Sequence, residues 1–174
     1  KVDAFARSRF GFQRVTAMDL EAPVTTDAVI DEIARLRGEG EPPMFLWVHY
    51  FDVHEPYVHR KEFDHGSRSI DLYDSEVAFT DRSVGRLVAA LAQLDRPTVL
   101  CITADHGEEF KEHGGVYHGS TLYEEQIRVP LLLAAPGLRP RIVPDPVELV
   151  DVAPTLLRLV GVEPPGSMRG DDLG

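Results

Sequence analysis

The sequence is poor in cysteine, in long apolar runs and in positive charge. Among 174 residues there is one cysteine, Cys101, which excludes an internal disulfide framework and a metal cluster held by several cysteines. No apolar run approaches the ~20 residues that a transmembrane helix needs, so none is predicted. Lys and Arg number 18 against 29 Asp and Glu, which gives a net charge of −11. This acidic balance argues against binding to nucleic acid or to an anionic membrane, because phosphate groups require a basic surface.

The rest of the composition is that of a globular protein. Hydrophobic residues make up 43% and charged residues 27% of the chain, which fits neither a disordered nor a fibrous sequence. At this length we expect a single domain over residues 1–174 that buries a core of its own. Because the chain begins with Lys1 rather than Met, we expect it to be part of a longer protein.

Apolar periodicity predicts alternating helices and strands. Residues 25–36 and 71–94 carry apolar side chains at helical spacing, and a short helix is predicted over residues 151–160. Three continuous apolar runs are typical of buried strands: residues 44–50, 98–103 and 129–135. Strands separated by helices indicate an α/β fold with a mostly parallel sheet flanked by helices. Ligands of such sheets bind at the carboxyl ends of the strands, where this chain has loops rich in His and acidic residues.

The predicted helix over residues 71–94 has an apolar and a polar face. Val77 and Leu87 belong to the apolar stripe, which we expect to be buried. Glu76 and Arg82 fall on the opposite, solvated face.

The first candidate site follows the second predicted strand. Asp105 and His106 come directly after residues 98–103, and Gly107 permits a bend that turns both side chains toward one cation. Carboxylate oxygen and imidazole nitrogen are both metal ligands. If they share a cation, we expect their ligating atoms within about 5 Å of each other, near His118. The alternative is an ordinary loop in which Asp105 caps a helix and His106 is solvated.

A second candidate lies in the loop after residues 44–50. His54 precedes Glu55-Pro56, and the proline favours an extended conformation at Glu55. An imidazole held there could donate a hydrogen bond to an anionic oxygen or protonate a leaving group. The alternative is one exposed loop histidine among several.

The segment 108–125 is long for a loop inside a compact domain, which is typical of functional or disordered loops. It carries His113 and His118. Its glutamates would line an anion site poorly unless a metal offset their charge, so we expect most of them to point outward. They are Glu108, Glu109, Glu112, Glu124 and Glu125.

Seven short motifs follow one another along the chain. They are His54-Glu55-Pro56-Tyr57, Tyr73-Asp74-Ser75-Glu76-Val77, Thr103-Ala104-Asp105-His106-Gly107-Glu108, His118-Gly119, Tyr123-Glu124-Glu125, Ile127-Arg128-Val129-Pro130-Leu131 and Glu148-Leu149-Val150-Asp151-Val152-Ala153-Pro154-Thr155-Leu156. In this order they resemble the C-terminal half of the catalytic domain of the sulfatase family, within the alkaline-phosphatase-like superfamily. The resemblance runs from about residue 11 to residue 173.

The resemblance implies a metal-dependent hydrolase of sulfate esters. Asp105 and His106 match the family's late pair of metal ligands, with calcium the expected cation and zinc or manganese the alternatives. His54 and His118 match histidines with catalytic and substrate-binding roles at the sulfate group or the leaving-group oxygen. The expected substrate is a sulfate-ester small molecule or glycan, and family analogy suggests a periplasmic or extracellular location.

The family's nucleophile is a formylglycine made from Cys or Ser in a Cys/Ser-x-Pro/Ala-x-Arg motif, and this chain has no such motif. Cys101 is followed by Ile102-Thr103-Ala104 and reads as a small core residue of a strand. The early acidic metal ligands and the C-terminal antiparallel subdomain of the family are also missing. We therefore interpret the chain as a fragment that lacks the attacking group and is inactive by itself.

Two other interpretations remain open at this point. A phosphodiesterase, a phosphonate hydrolase or a phosphoethanolamine transferase of the same superfamily would also use an Asp-His metal pair, since histidine is common at zinc centres. Alternatively, the chain is a non-catalytic domain that binds a partner through its acidic face. Under the fragment interpretation, removal of the first half should leave apolar sheet edges uncovered, so we expect the chain to aggregate or self-associate.

Overall fold

The computed structural model describes residues 11–15, 21–38 and 43–174. The chain divides into two compact units, Lys1–Leu94 and Asp95–Gly174, and each is described by itself. A single domain over residues 1–174 stays a prediction.

The first unit is built on two long helices, α1 (Ala22–Gly38) and α2 (Ser69–Leu91), with a single 3-10 turn at Lys61–Phe63 between them. Both helices were predicted, and α1 begins three residues earlier than expected. Small and polar side chains bring them together: Thr26 of α1 is fully buried, and its hydroxyl donates to the Ser83 carbonyl of α2 at 3.1 Å. The same hydroxyl lies 2.8 Å from the Tyr50 hydroxyl, which ties the segment after α1 to the helix pair.

The buried face of α2 differs from the predicted one. Leu87 is buried as expected, whereas Val77 is 42% exposed and Glu76 is only 1% exposed. The prediction for Glu76 and Val77 was wrong because the Arg60 guanidinium lies 3.2 Å from Glu76 Oε1 on that side of the helix. A buried carboxylate is tolerated where a cation and hydrogen bonds compensate it.

Asp71 caps the amino-terminal end of α2. Its Oδ2 accepts the backbone N–H of Arg68 at 2.9 Å, and its Oδ1 lies 2.6 Å from the Arg68 guanidinium. These hydrogen bonds from Arg68 lower the pKa of Asp71 from 3.8 to about 2. The carboxylate also suits the positive end of the helix dipole.

The predicted strand over residues 44–50 is not a strand in the structure. The segment has no regular secondary structure, and Phe45 and Trp47 are 69% and 74% exposed. A strand needs a partner to complete its hydrogen bonds, and no ladder partner for this segment exists within the described ranges. The apolar run therefore did not indicate a paired strand.

The second unit contains four short strands, two α-helices and a 3-10 turn at Leu149–Asp151. The strands and α-helices are β1 (Leu100–Thr103), β2 (Glu109–Phe110), β3 (Val116–Tyr117), α3 (Glu124–Ile127), β4 (Leu131–Ala134) and α4 (Val152–Leu159). The strands predicted over 98–103 and 129–135 are confirmed as β1 and β4, and the short helix predicted over 151–160 as α4. Cys101 lies in β1 as expected and is half-buried, and burial raises the pKa of its thiol.

Strand pairing in the second unit is antiparallel. β1 pairs with β4 from Leu100 opposite Ala134 to Thr103 opposite Leu131, and β2 pairs with β3 in a hairpin. The mostly parallel sheet that the alternation of strands and helices predicted is therefore not found in the described part of the chain. The sequence between β1 and β4 contains a hairpin and one turn of helix rather than a crossover helix, so β4 returns beside β1 in the opposite direction.

The end of the chain is attached to α4 through two polar side chains. Asp151 accepts the backbone N–H groups of Glu148 and Asp171 at 2.9 and 2.8 Å, which lowers the pKa of its carboxyl. Thr155 is fully buried, and its hydroxyl accepts the N–H of Leu173 at 3.0 Å. Searched over its described residues, the structure has no helix long and apolar enough to cross a bilayer.

Candidate functional site

Asp105 and His106 stand at the carboxyl end of β1. The His106 ring presents Nε2 3.7 Å from Asp105 Oδ1, and its Nδ1 lies 2.9 Å from the Gly107 carbonyl oxygen. Because a carbonyl can only accept, Nδ1 carries the proton and Nε2 carries the lone pair. The separation of these two candidate ligating atoms is within the expected limit of about 5 Å. The Asp105 side chain is 74% exposed and the His106 side chain 38% exposed.

His118 is brought to this pair by the β2–β3 hairpin. The register sets Glu109 opposite Tyr117, so the flanking Glu108 and His118 are also neighbours, and His118 Nδ1 lies 3.1 Å from Glu108 Oε1. The His118 and His106 rings are stacked, with centroids 3.7 Å apart and planes 20° from parallel. A carboxylate acceptor at Nδ1 leaves Nε2 as the nitrogen that can face another group.

Glu108 and Glu109 are 8% and 1% exposed, which contradicts the expectation that most glutamates of this segment point outward. The physical reason is that the hairpin supplies donors for both. Glu108 accepts from His118, and Glu109 accepts backbone N–H groups of the turn. Glu112 and Glu124 are exposed as expected.

Gly107 was expected to permit a backbone bend, but in the structure it permits a close contact with α3. A Cβ at Gly107 would lie 2.2 Å from the Glu125 carbonyl oxygen, and the Gly107 N–H donates to the Gln126 carbonyl at 2.8 Å. The glycine therefore permits close approach of α3 to the chain after His106 rather than an unusual backbone bend.

A cavity of about 380 Å³ opens beside the pair. Side chains from the β1 end, the segment after His118 and α3 surround it, mixing carboxylate, imidazole, hydroxyl, amide and aliphatic groups. They are Asp105, His106, Ser120, Thr121, Leu122, Gln126 and Ile127, together with Gly119. His118 joins this group through its stacking on His106.

His54 lies in the first unit. Its Nδ1 is 2.7 Å from the Glu55 carbonyl oxygen, and its ring stacks on Phe51 with centroids 4.6 Å apart. The carbonyl places the proton on Nδ1, as at His106, so Nε2 carries the lone pair. The loop is attached to α2 because Ser75 hydrogen-bonds both the N–H and the carbonyl of Arg60, at 2.9 and 3.2 Å.

Comparison with known proteins settles the family. The Sulfatase family model matches residues 5–162. The chain belongs to the sulfatase family. This confirms the resemblance drawn from the seven sequence motifs.

Individual sulfatases match different extents of the chain. Arylsulfatase K of Mus musculus is 38% identical over 105 residues, 59% of this chain and 19% of that protein. Steryl-sulfatase of Mus musculus is 35% identical over 168 residues, 85% of this chain and 27% of that protein. The crystal structure of a candidate sulfatase from Bacteroides thetaiotaomicron is 29% identical, covers 60% of this chain and 23% of that chain, and has a TM-score of 0.51. The chain thus spans about a fifth to a quarter of the length of these sulfatases.

The residues present fit part of a metal site. Asp105 Oδ1 and His106 Nε2 are one hard oxygen and one imidazole nitrogen that lie 3.7 Å apart, on residues that line the same cavity. No group of three or more His, Cys, Asp or Glu with metal-binding geometry occurs within residues 11–15, 21–38 and 43–174. Calcium takes about 6–8 oxygen ligands, so this pair could supply at most two donors of the set that such an ion needs.

Three residues of the site region were not found from the sequence: Glu108, Glu109 and Gln126. The glutamates were interpreted as part of a solvated charge run. The His113-Gly114-Gly115 turn was the signal that could have shown a hairpin, which would have set Glu108 beside His118. Gln126 had no sequence signal, because its partners, two backbone N–H groups and the Glu109 carboxylate, are brought to it by the fold.

Proposed function

We propose that this chain is part of a metal-dependent hydrolase of sulfate esters. In this proposal Asp105 and His106 hold a divalent cation, and His54 and His118 contact the sulfate group or the leaving-group oxygen. The observation that carries the proposal is the arrangement of Asp105, His106 and His118 at the end of β1, where the two rings stack at 3.7 Å and Asp105 lies 3.7 Å from His106 Nε2.

The fixed tautomers support these roles. His54 and His106 each donate Nδ1–H to the carbonyl of the next residue, and His118 uses Nδ1 toward the Glu108 carboxylate. Each ring therefore offers Nε2 for chemistry. A lone pair on His106 Nε2 suits a metal. His54 and His118, whose Nδ1 atoms already donate, can also donate from Nε2 to an anionic oxygen or a leaving group when the ring is an imidazolium ion.

A divalent cation at Asp105 and His106, most simply calcium, supplies charge neutralisation for the anionic ester. The attacking group is proposed to lie outside this chain, as a formylglycine, because the sequence contains no nucleophile motif. The substrate is proposed to be a sulfate-ester small molecule or glycan, and the location periplasmic or extracellular. Self-association of the isolated chain is expected from its exposed apolar residues, such as Trp47 and Leu122.

The test uses the complete protein that contains this chain. We expect it to hydrolyse a chromogenic aryl sulfate in a calcium-dependent way, with His118→Gln and Asp105→Asn each lowering kcat/KM by about 100-fold or more. His65→Gln is the matched control, because His65 is exposed. Unchanged activity of both site variants, with hydrolysis retained, would contradict the assignment.

A phosphate-ester hydrolase of the same superfamily is the second candidate, favoured by one observation. His106 offers nitrogen rather than oxygen to the cation, and imidazole is typical of zinc sites. Comparing aryl sulfate with aryl phosphate, each with calcium or zinc, distinguishes the two. Faster turnover of the phosphate ester with zinc would replace the sulfatase proposal.

A further inference from the structure

Glu109 is a buried carboxylate that the proposed chemistry does not use. Its residue is 1% exposed in the β2 strand. Oε1 accepts the backbone N–H groups of His113 and Gly115 at 3.2 and 2.7 Å, and Oε2 accepts the Gln126 amide at 2.8 Å. A Cβ on Gly115 would lie 2.8 Å from this carboxylate, which would have to move away from the turn. Glu109 thus fixes the chain that leads into β3 and His118.

Gln126 fixes the chain on the other side of His118. It is 3% exposed, and its Oε1 accepts the N–H groups of Ser120 and Thr121, each at 3.3 Å. Its main-chain carbonyl accepts the Gly107 N–H at 2.8 Å. Gln126 therefore contacts the segments that directly follow both His106 and His118.

The backbone between these two attachments is under strain at one residue. Tyr117, directly before His118, has φ of 69°. A bulky residue in this left-handed region is strained and persists where its surroundings hold it. Glu109 holds the backbone before Tyr117 and Gln126 holds the backbone after His118. The hydrogen bond between Glu109 and Gln126 links these two contacts and so restrains Tyr117 in its strained conformation.

We propose that Glu109 and Gln126 are positioning residues that hold the His118 ring stacked on His106. The catalytic meaning of this stacking rests on the proposed function, whereas the stacking itself can be measured without any activity. The amide orientation follows from its neighbours. Oε1 faces two N–H donors and Nε2 faces a carboxylate, and the reverse orientation would set oxygen against oxygen.

This donor–acceptor pattern allows an exchange test. Gln126→Glu alone sets two carboxylates against each other, and Glu109→Gln alone sets two amide groups against each other. In the double variant, glutamine at 109 accepts from His113 and Gly115 and donates to the carboxylate at 126. That carboxylate still accepts from Ser120 and Thr121, so every hydrogen bond of the network is restored.

The experiment records ¹H–¹³C NMR spectra of selectively labelled histidine rings in the complete protein that contains this chain. Stacked rings shift each other's Cε1 protons upfield. We expect the wild-type chain to show this shift for His106 and His118, each single variant to lose it, and the double variant to regain it. Gln93→Glu, the same change at an exposed residue of the first unit, is expected to keep it. In the complete protein, the single variants are expected to lower kcat at least tenfold and the double variant to recover it.

Each outcome decides the proposal. If the single variants do not fold but the double variant folds with stacked rings, the pairing is supported. Single variants that keep the upfield shift, or a double variant that is unfolded or folded without it, would overturn the proposal. Restored stacking in a protein that hydrolyses no sulfate or phosphate ester would reject the proposed function and leave the positioning role standing.

Discussion

Arg60 shows how a single residue organises the first unit. Its guanidinium lies 2.7 Å from Glu21, 3.2 Å from Glu76 and 3.4 Å from Asp52, and 4.0 Å from the centroid of the Phe79 ring. The Asp52 and Glu76 side chains are each 2% exposed, and burial raises the pKa of both carboxyls. One cation therefore compensates two buried acids, beside the loop that carries His54.

Removal of Arg60 is expected to destabilise the chain in a pH-dependent way. Arg60→Met leaves Asp52 and Glu76 buried without their cation, and we expect the free energy of unfolding at pH 7 to fall by about 3–5 kcal/mol. A carboxyl whose pKa is raised on folding favours the folded state at acid pH and loses that contribution as pH rises through its folded pKa. The deficit should therefore shrink toward about pH 5.

Urea denaturation at both pH values measures this effect. Arg86→Met is the control, because Arg86 pairs with Asp27 between side chains about half exposed, where an ion pair contributes about 0–1 kcal/mol. An equal loss for Arg60→Met at both pH values would contradict the role of the buried carboxyls.

Asp71 gives a prediction of opposite sign. Its pKa is lowered on folding from 3.8 to about 2 by Arg68, so it stabilises the folded chain above about pH 4 and loses that contribution as pH falls toward 2. We expect Asp71→Asn to be less stable than wild type at pH 7, with the difference narrowing below pH 4. Thermal unfolding at a series of pH values measures it, with the exposed Asp31→Asn as control. A difference that stays constant down to pH 2 would exclude this role.

At the scale of elements, the β2–β3 hairpin and α3 form the support of the candidate site. The hairpin register brings Glu108 to His118, and α3 approaches the chain after His106 through Gly107. The strands of the hairpin have two residues each, so the ladder alone is weak. Side-chain hydrogen bonds from Glu109 and Gln126 to the backbone supply the remaining order.

Gly107→Ala tests the approach of α3. The added Cβ would lie 2.2 Å from the Glu125 carbonyl, so we expect backbone displacement and a loss of about 1–3 kcal/mol of stability, measured by urea denaturation. Gly85→Ala is the matched control, because Gly85 lies inside α2 and a methyl group added there would meet nothing within 4 Å. There the change should stabilise by about 0.5–1 kcal/mol. An equal change in the free energy of unfolding for both variants would show that the close contact at Gly107 does not affect stability.

At the scale of the whole molecule, the chain corresponds in length to one part of a sulfatase. It spans 19% of Mus musculus arylsulfatase K and 27% of Mus musculus steryl-sulfatase. With its net charge of −11, the chain would attract an anionic ester poorly unless the proposed cation were bound at the candidate site. If the attacking group lies outside this chain, as proposed, the covalent reaction has no first step in the chain alone.

We therefore expect the isolated 174-residue chain to show no hydrolysis of a chromogenic aryl sulfate above the rate of buffer, with or without calcium. The complete protein, assayed in parallel, is the positive control. Calcium-dependent turnover by the isolated chain that Asp105→Asn abolishes would show that this segment carries its own nucleophile.

The sequence by itself determined the family, both long helices, the short C-terminal helix and the strands β1 and β4, because each of these depends on local apolar periodicity or on residue order. It also placed Asp105 and His106 directly after a strand. The tertiary structure decided the antiparallel pairing of β1 with β4, the burial of Glu76, Glu108 and Glu109, and the stacking of His106 on His118. From the sequence alone a carboxylate is predicted to be exposed to solvent. Only the fold brings it the guanidinium, imidazole and backbone N–H groups that make its burial favourable.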